Sequence, residues 1–186
     1  MSNGPHRYPM AALIRLTLIT LYLALVLPLP LLAPGDLRVW MALAVPAGLV
    51  LVLAITSERV ELDEQGLRVG HPPWCSWWLR RGWSLSWEAI SGLTPVATSQ
   101  GGRVFYVRSQ GAAAPSGLRR SYLLPQRVAG FEDFLERFSS ASGIDTSAVG
   151  RITPPWTYQM LALLSGLLLA GEVGLFALNP VLPGGG

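Results

Sequence analysis

The chain has 186 residues, 51% of them hydrophobic and only 13% charged, with a formal net charge of +3. Its mean hydropathy of +0.40 is high for a soluble domain, and the excess is local: residues 16–56 and 152–186 are nearly free of charge, whereas 57–151 are not. That distribution describes a membrane protein with one water-facing module. The small net charge gives no basic face for nucleic acid, and a single cysteine, Cys75, excludes an intrachain disulfide and a cysteine metal cluster.

The first apolar stretch runs from about Met10 to Ala33. From Leu16 to Ala33 there are 18 residues without a charge, about 27 Å as a helix and enough to approach the bilayer thickness. Pro28 and Pro30 each lack an amide hydrogen, so its far end is expected to kink or fray. After the turn "APGD" a second span follows, Val39 to Thr56, with Pro46 tolerable inside a packed helix. The third, Met160 to Leu178, holds one charge, Glu172, and is entered past Trp156 and Tyr158, residues that suit a membrane interface. A cleaved signal peptide is the competing reading of the first span, but the segment is long for that and "LLAPGD" is a poor cleavage site. Residues 1–56 thus form an N-terminal transmembrane hairpin (spans 10–33 and 39–56), 57–155 the module, and 156–186 a third helix with a short tail.

Three spans put the N-terminus and the module on one side. That side carries thirteen arginines and the other only Arg38, in a chain without lysine, so the module is expected to be cytoplasmic, or stromal in a thylakoid. Charged residues within spans are functional candidates by default. Glu172 lies about 21 Å along its helix from Tyr158, whereas Arg15 is only about 8 Å from Met10. The two are poor partners, and Arg38 on the far-side loop is the better match for Glu172. Gly166, Ala170 and Gly174 recur every four residues, a small-residue stripe that permits close helix contact. Ala44 and Gly48 form a similar notch. Packing of the three helices within the chain is the plain expectation for the stripe; homodimerisation or docking to a membrane complex is the sharper one.

The module reads as strands followed by one helix. "RVELD" (59–63) alternates, "DEQG" (63–66) turns and "LRVG" (67–70) returns, a hairpin signal. "WCSWWL", "RRG" and "WSLSW" look like a second hairpin, with Trp83, Leu85 and Trp87 on one face. Five of the seven tryptophans fall between Trp74 and Trp87. Trp83 and Trp87 belong to the core, while Trp74, Trp77 and Trp78 share no clean face and are candidates, with Arg80 and Arg81, for contact with lipid or a partner. Further strands are expected near Leu93–Val96, over 101–109 and over 120–125. In "PQRVAGFEDFLERFSSASG" the apolar positions Val128, Phe131, Phe134 or Leu135, and Phe138 recur with helical spacing; Pro125 suits the entry and Gly143 the C-terminal cap.

Six or seven antiparallel strands closed by an amphipathic helix outline a pleckstrin-homology-like barrel. On "V-x-L-D-x-x-G-L-x-V" (Val60 to Val69), "W-E-x-I" (Trp87 to Ile90) and a late "F-x-x-F-L", the region 58–142 resembles the bacterial PH-like domains attached to transmembrane hairpins. The fold class implied is an α+β membrane protein, with a small PH-like β-barrel and its C-terminal helix inserted between spans 2 and 3. The chain also looks like uncharacterised membrane proteins of cyanobacteria. It is similar to a photosystem I assembly factor of oxygenic phototrophs in placing two spans before a compact domain, and differs from it in the third span.

No residue set points to catalysis. Ser139, Ser140 and Ser142 have no histidine nearby, Glu61, Asp63 and Glu64 fall on a solvent face or turn, and the glycine-containing stretches form no nucleotide fingerprint. His6 and His71 lack ligand-like spacing, so neither a metal nor another cofactor is expected. The resemblance implies a binding module. Related eukaryotic domains bind inositol phospholipids through a basic early loop, but here that turn, "DEQG", is acidic. The expected function is a non-enzymatic membrane scaffold that binds a membrane protein or its own copy, in assembly or stabilisation of a membrane complex. The alternatives are an anionic-lipid headgroup sensor using Arg80 and Arg81, and a small transporter or channel subunit centred on Glu172.

Overall fold

The computed structural model describes residues 5–79, 82–97, 103–109, 120–150 and 155–178. In chain order the elements are β1 (His6–Pro9), α1 (Ala12–Val26), α2 (Leu29–Leu32), α3 (Leu37–Ile55), β2 (Arg59–Leu62), β3 (Gly66–Gly70) and α4 (Pro73–Ser76). There follow β4 (Trp83–Ser86), β5 (Ile90–Ala97), β6 (Arg103–Ser109), β7 (Ser121–Leu123), α5 (Phe131–Ser142) and α6 (Pro155–Leu178). The fold is α+β, with two antiparallel sheets and three long apolar helical segments. It divides into a helical unit, Ala12–Thr56 with Pro155–Gly186, and a mixed unit, Met1–Ala11 with Ser57–Pro154.

In the helical unit, Ala12–Leu32, Leu37–Ile55 and Trp156–Leu178 are each long and apolar enough to cross a bilayer, with a mean hydropathy of 2.1. The first breaks where expected. Pro28 supplies the carbonyl to which the Leu31 and Leu32 amides bond, at 3.0 and 3.1 Å, and the chain restarts as the single turn α2. Helix α1 packs against both α3 and α6. On α3 the Tyr22 hydroxyl donates to the Val45 carbonyl at 2.7 Å, beside the Pro46 turn. Gly48 makes room for it, since a Cβ there would collide with the Tyr22 hydroxyl and ring. On α6 the Tyr158 carbonyl lies 3.3 Å from the Thr17 hydroxyl, which bonds its own Leu13 carbonyl at 2.7 Å.

The mixed unit contains a four-stranded sheet, β1-β2-β3-β4, and a three-stranded sheet, β5-β6-β7, all pairs antiparallel. The β2–β3 turn forms as the sequence suggests. The Asp63 carboxylate accepts from the Gln65 and Gly66 amides at 2.9 and 2.8 Å, an Asx turn. Val60 faces Val69 and Leu62 faces Leu67; all four are buried, while Arg59, Glu61 and Arg68 take the other face, as a period of two requires. Gly66 and Gly82 allow β4 to close on β3, because a Cβ at either would run into a carbonyl of the neighbouring strand. Helix α5 then lays Phe131, Phe134 and Phe138, spaced i, i+3 and i+7, into the core. Each of these rings is fully or almost fully buried, about 1.5–3 kcal/mol apiece in transfer terms.

Three features differ from the sequence expectation. Residues 6–9, grouped above with the hairpin, are the first strand of the mixed unit: β1 pairs with β2 in register from His6–Leu62 to Pro9–Arg59. It is also tied to the segment before α5 by the Ala11 amide on the Arg127 carbonyl and the Ala129 amide on the Pro9 carbonyl, both 2.8 Å. "WCSWWL" is no strand. Pro72 and Pro73 start the helical turn α4 instead, because a proline fixes φ and suits the first helical position. β4 pairs with β3, and Trp87 opens a 3₁₀ turn, Trp87–Ala89, rather than ending the strand. Pro125 does not open α5. That helix starts after Gly130 (φ +62°) and ends at Gly143 (φ +69°), whose amide bonds the Ser139 carbonyl at 2.8 Å. Both glycines sit in the left-handed region that side chains disfavour.

Candidate functional site

The tryptophan segment separates into two groups. Trp83 stacks on Tyr122 of β7 with centroids 4.9 Å apart. Trp87 meets Phe138 of α5 edge-on at 5.9 Å, and its indole N–H donates to the Asp63 carbonyl at 3.0 Å. Both pack against the core. Trp74, Trp77 and Trp78, on and just after α4, are 51%, 81% and 41% exposed. The Trp77 indole N–H is satisfied locally, by the Trp74 carbonyl at 3.1 Å, so what that residue offers outward is apolar ring. Clusters of exposed aromatic surface of this kind mark contact sites.

What holds α4 in place is Cys75, fully buried, with its sulfur 3.3 Å from the Ser57 hydroxyl. Ser57 is the second residue after Ile55, the end of α3. The turn that carries the exposed tryptophans is therefore tied to Ser57, the first residue of the mixed unit after α3 in the chain. Arg80 and Arg81, paired with them above, lie outside the described residues.

A polar recess of about 220 Å³ adjoins α4, lined by Arg59, Glu61, Arg68, His71 and Ser76 among others. It is built by strand register. Arg7, Glu61 and Arg68 lie side by side across β1, β2 and β3, and Arg59 is two residues along on the same face. The Nε atoms of Arg7 and Arg59 each approach Glu61 Oε1 at 3.1 Å, as ion pairs rather than aligned hydrogen bonds. Two guanidiniums thus share one carboxylate, and Arg68, beside Glu61 across the strand pair, has no acidic partner among the described residues. His71 Nδ1 is buried at this recess without a hydrogen-bond partner.

A second polar cluster joins β1 to α5. The Tyr8 hydroxyl donates to Asp133 Oδ2 at 2.6 Å, Arg137 Nε reaches the same carboxylate at 3.0 Å, and Arg137 Nη1 lies 3.2 Å from His6 Nε2. Burial, reinforced by the bond to Asp133, pushes the Tyr8 hydroxyl up to about 12. The Arg137 guanidinium, and next the Tyr8 hydroxyl, hold the Asp133 carboxyl below its ordinary range. These groups clamp the N-terminal strand, and Asp133 and Arg137 also line an open surface recess of about 370 Å³ with Glu136, Ser140 and Ala141 on the outer side of α5.

In the helical unit Glu172 faces inward with Ser165, seven residues earlier on the same side of α6. Ser165 is buried and bonds the Ala162 carbonyl at 3.2 Å. Glu172 Oε2 is buried without a hydrogen-bond partner. The expected pairing with Arg38 does not form among the described residues, where Arg38 is exposed, as is Arg15. Nor does the small-residue stripe pack against other described residues: a Cβ at Gly166 or Gly174 would meet nothing within 4 Å, and Ala170 is exposed. Gly166, Ala170 and Gly174 lie on the side of α6 away from Ser165 and Glu172, framed by the exposed Leu163 and Leu167.

Comparison with known proteins adds one relative and no function. The chain is 37% identical over 176 residues to "Uncharacterized protein slr0269" of Synechocystis sp. (strain ATCC 27184 / PCC 6803 / Kazusa), covering 92% of this chain and 85% of that protein. It belongs to the family of this cyanobacterial protein. No family model and no solved structure matches. The similarity extends over nearly the whole chain rather than over one unit alone.

Two features of the site escaped the sequence. Arg59, Arg68 and His71 are spread over thirteen positions and converge only because β2 turns back on β3, pairing Arg59 with Gly70 next to His71. The hairpin signal was legible, and carrying its alternation one step further would have placed Arg59, Glu61 and Arg68 on a common outer face. Nothing in the four residues of β1 signalled that Arg7 would join them.

Proposed function

We propose that the chain is a three-span membrane protein without chemistry of its own, a scaffold that carries a PH-like module at the cytoplasmic face and binds a second membrane protein through α6. Its place would be the assembly or stabilisation of a membrane complex. The observation that carries this reading is the unopposed face of α6. Gly166, Ala170 and Gly174 form a shallow groove between leucines, with open space in front of each glycine, while the helix packs on α1 through its other side. Small residues let helix backbones approach closely within a bilayer, and a stripe left open within the chain suits a helix from outside it. Seven strands in two antiparallel sheets, capped by a helix that supplies three core phenylalanines, support the PH-like description of the module. The thirteen-to-one arginine distribution supports its orientation.

The test is association in mild detergent. Gly166→Leu with Gly174→Leu should leave the chain folded, because each side chain projects into open space, yet reduce the native complex to the bare chain on a sizing column. An unchanged size and an unchanged set of co-purifying membrane proteins would refute the role given to this face.

A further inference from the structure

We propose that the recess between β2, β3 and α4 binds the anionic headgroup of a membrane lipid, an oxyanion of the phosphate- or sulfate-ester type, with Trp74, Trp77 and Trp78 seated among the surrounding headgroups. This rests on the membrane reading above and is independent of the α6 face.

Charge comes first. Arg59 and Arg68 line the recess with a single carboxylate, Glu61, which already pairs with Arg59 and with Arg7 outside the lining; among the described residues Arg68 is left with its guanidinium uncommitted, in a fork suited to oxyanions. His71 also lines the recess, and its buried Nδ1 has no partner among the described residues, so the ring is not committed to the protein through that atom. At about 220 Å³ the space falls below the roughly 300–1,000 Å³ of pockets that enclose cofactor-sized ligands. It suits a headgroup whose remainder lies outside.

Position argues for a lipid as the source. Arg59 follows Ile55 by four residues and Arg7 precedes Ala12 by five, so at about 3.3–3.6 Å per residue the chain itself keeps each of these two arginines within roughly 18 Å of a span end. Trp74, Trp77 and Trp78 lie on and just after α4, which supplies Pro73 and Ser76 to the recess, and the contact of Cys75 with Ser57 ties α4 to the residue that follows Ile55 by two in the chain. Indole rings are enriched at headgroup depth, where an apolar body and a polar edge are both accommodated. A soluble oxyanion would account for the arginines but leave three exposed tryptophans without a purpose.

The full chain in mild detergent, titrated with phosphatidylglycerol or phosphatidylcholine of matched acyl chains and read by native mass spectrometry, tests the proposal. Phosphatidylglycerol should be retained at lower concentration than phosphatidylcholine. Arg68→Gln with His71→Gln should weaken its retention by about fivefold to tenfold and leave phosphatidylcholine unchanged, Arg68→Lys should restore most of the difference, and Arg103→Gln on the other sheet should have no effect. Equal retention of the two lipids, or a preference untouched by the double variant, would overturn the proposal. Displacement of the lipid by equimolar inorganic phosphate or sulfate would also overturn it, in favour of a free oxyanion. Membrane integration is read separately: release of the chain by alkaline carbonate would end the membrane reading, whereas binding of inorganic phosphate, abolished by the double variant, would still report on the recess.

Discussion

Removing the Tyr8 ring tests whether the residues ahead of the first apolar helix are part of the module's core. Tyr8 is 7% exposed, its ring meets Phe134 edge-on at 5.5 Å, and its hydroxyl is bonded to Asp133. Truncating a buried aromatic ring costs about 3–5 kcal/mol, a large share of the about 5–15 kcal/mol that a domain has in total. Tyr8→Ala should therefore lower amide-exchange protection in β2, β3 and β6 by roughly a hundredfold to a few thousandfold, measured by hydrogen exchange on the full chain in detergent; Tyr8→Phe, which keeps the ring, should cost less. The hydroxyl gives a second readout. Its raised value stabilises the fold fully below the ordinary tyrosine pKa of about 10, and that contribution is lost as pH rises through about 12. Asp133, held low, contributes above the ordinary carboxylate pKa of about 4 and loses that contribution as pH falls through its folded value. The clamp is thus at full strength between about pH 4 and 10. The difference in phenolate absorbance between the native chain and Tyr8→Phe should titrate near 12. Unchanged exchange in Tyr8→Ala, or a titration at the ordinary tyrosine value, would refute the reasoning.

Gly48→Ala separates packing from propensity: in an open helix it would stabilise by up to about 1 kcal/mol, but the added Cβ meets Tyr22. The thermal midpoint in detergent should fall, and pairing the change with Tyr22→Leu should recover it; a rise in Gly48→Ala alone would contradict the contact. Glu172→Leu removes a carboxylate whose Oε2 is buried and unpartnered. It should raise stability by about 1 kcal/mol or more, followed by the same thermal assay, and a loss of stability would show that the carboxylate has a partner in the native membrane.

Much of the fold was legible where a local pattern repeats. The alternation of Val60, Leu62, Leu67 and Val69 around Asp63 and Gly66 specified β2 and β3, and the spacing of Phe131, Phe134 and Phe138 specified α5. The three apolar helices were legible from length and hydropathy alone. β1 was not, because a four-residue strand with one core residue, Tyr8, has no period to detect, and its partner lies beyond α1, α2 and α3. "WCSWWL" misled because three tryptophans suggest a strand, while Pro72 and Pro73 decide the local backbone. The candidate site was half visible. The exposed tryptophans were singled out, but the cations that line a recess beside them come from β2, β3 and His71, and only the register of the β2–β3 pairing brings those together.

The pairing of β1 with β2 also has a consequence for how the protein is made. His6–Pro9 leaves the ribosome well before its partner strand Arg59–Leu62, with two apolar helical segments in between. For helices that enter a bilayer, the strand pair can close only if both ends of the hairpin emerge on the same side. A chain whose first helix inserted the wrong way round would strand Tyr8 away from Phe134 and leave the sheet one strand short, with the β2 edge uncovered. If the two helices insert as proposed, completion of the sheet would be a checkpoint on insertion: the module would reach its full core only in molecules whose hairpin had crossed and returned.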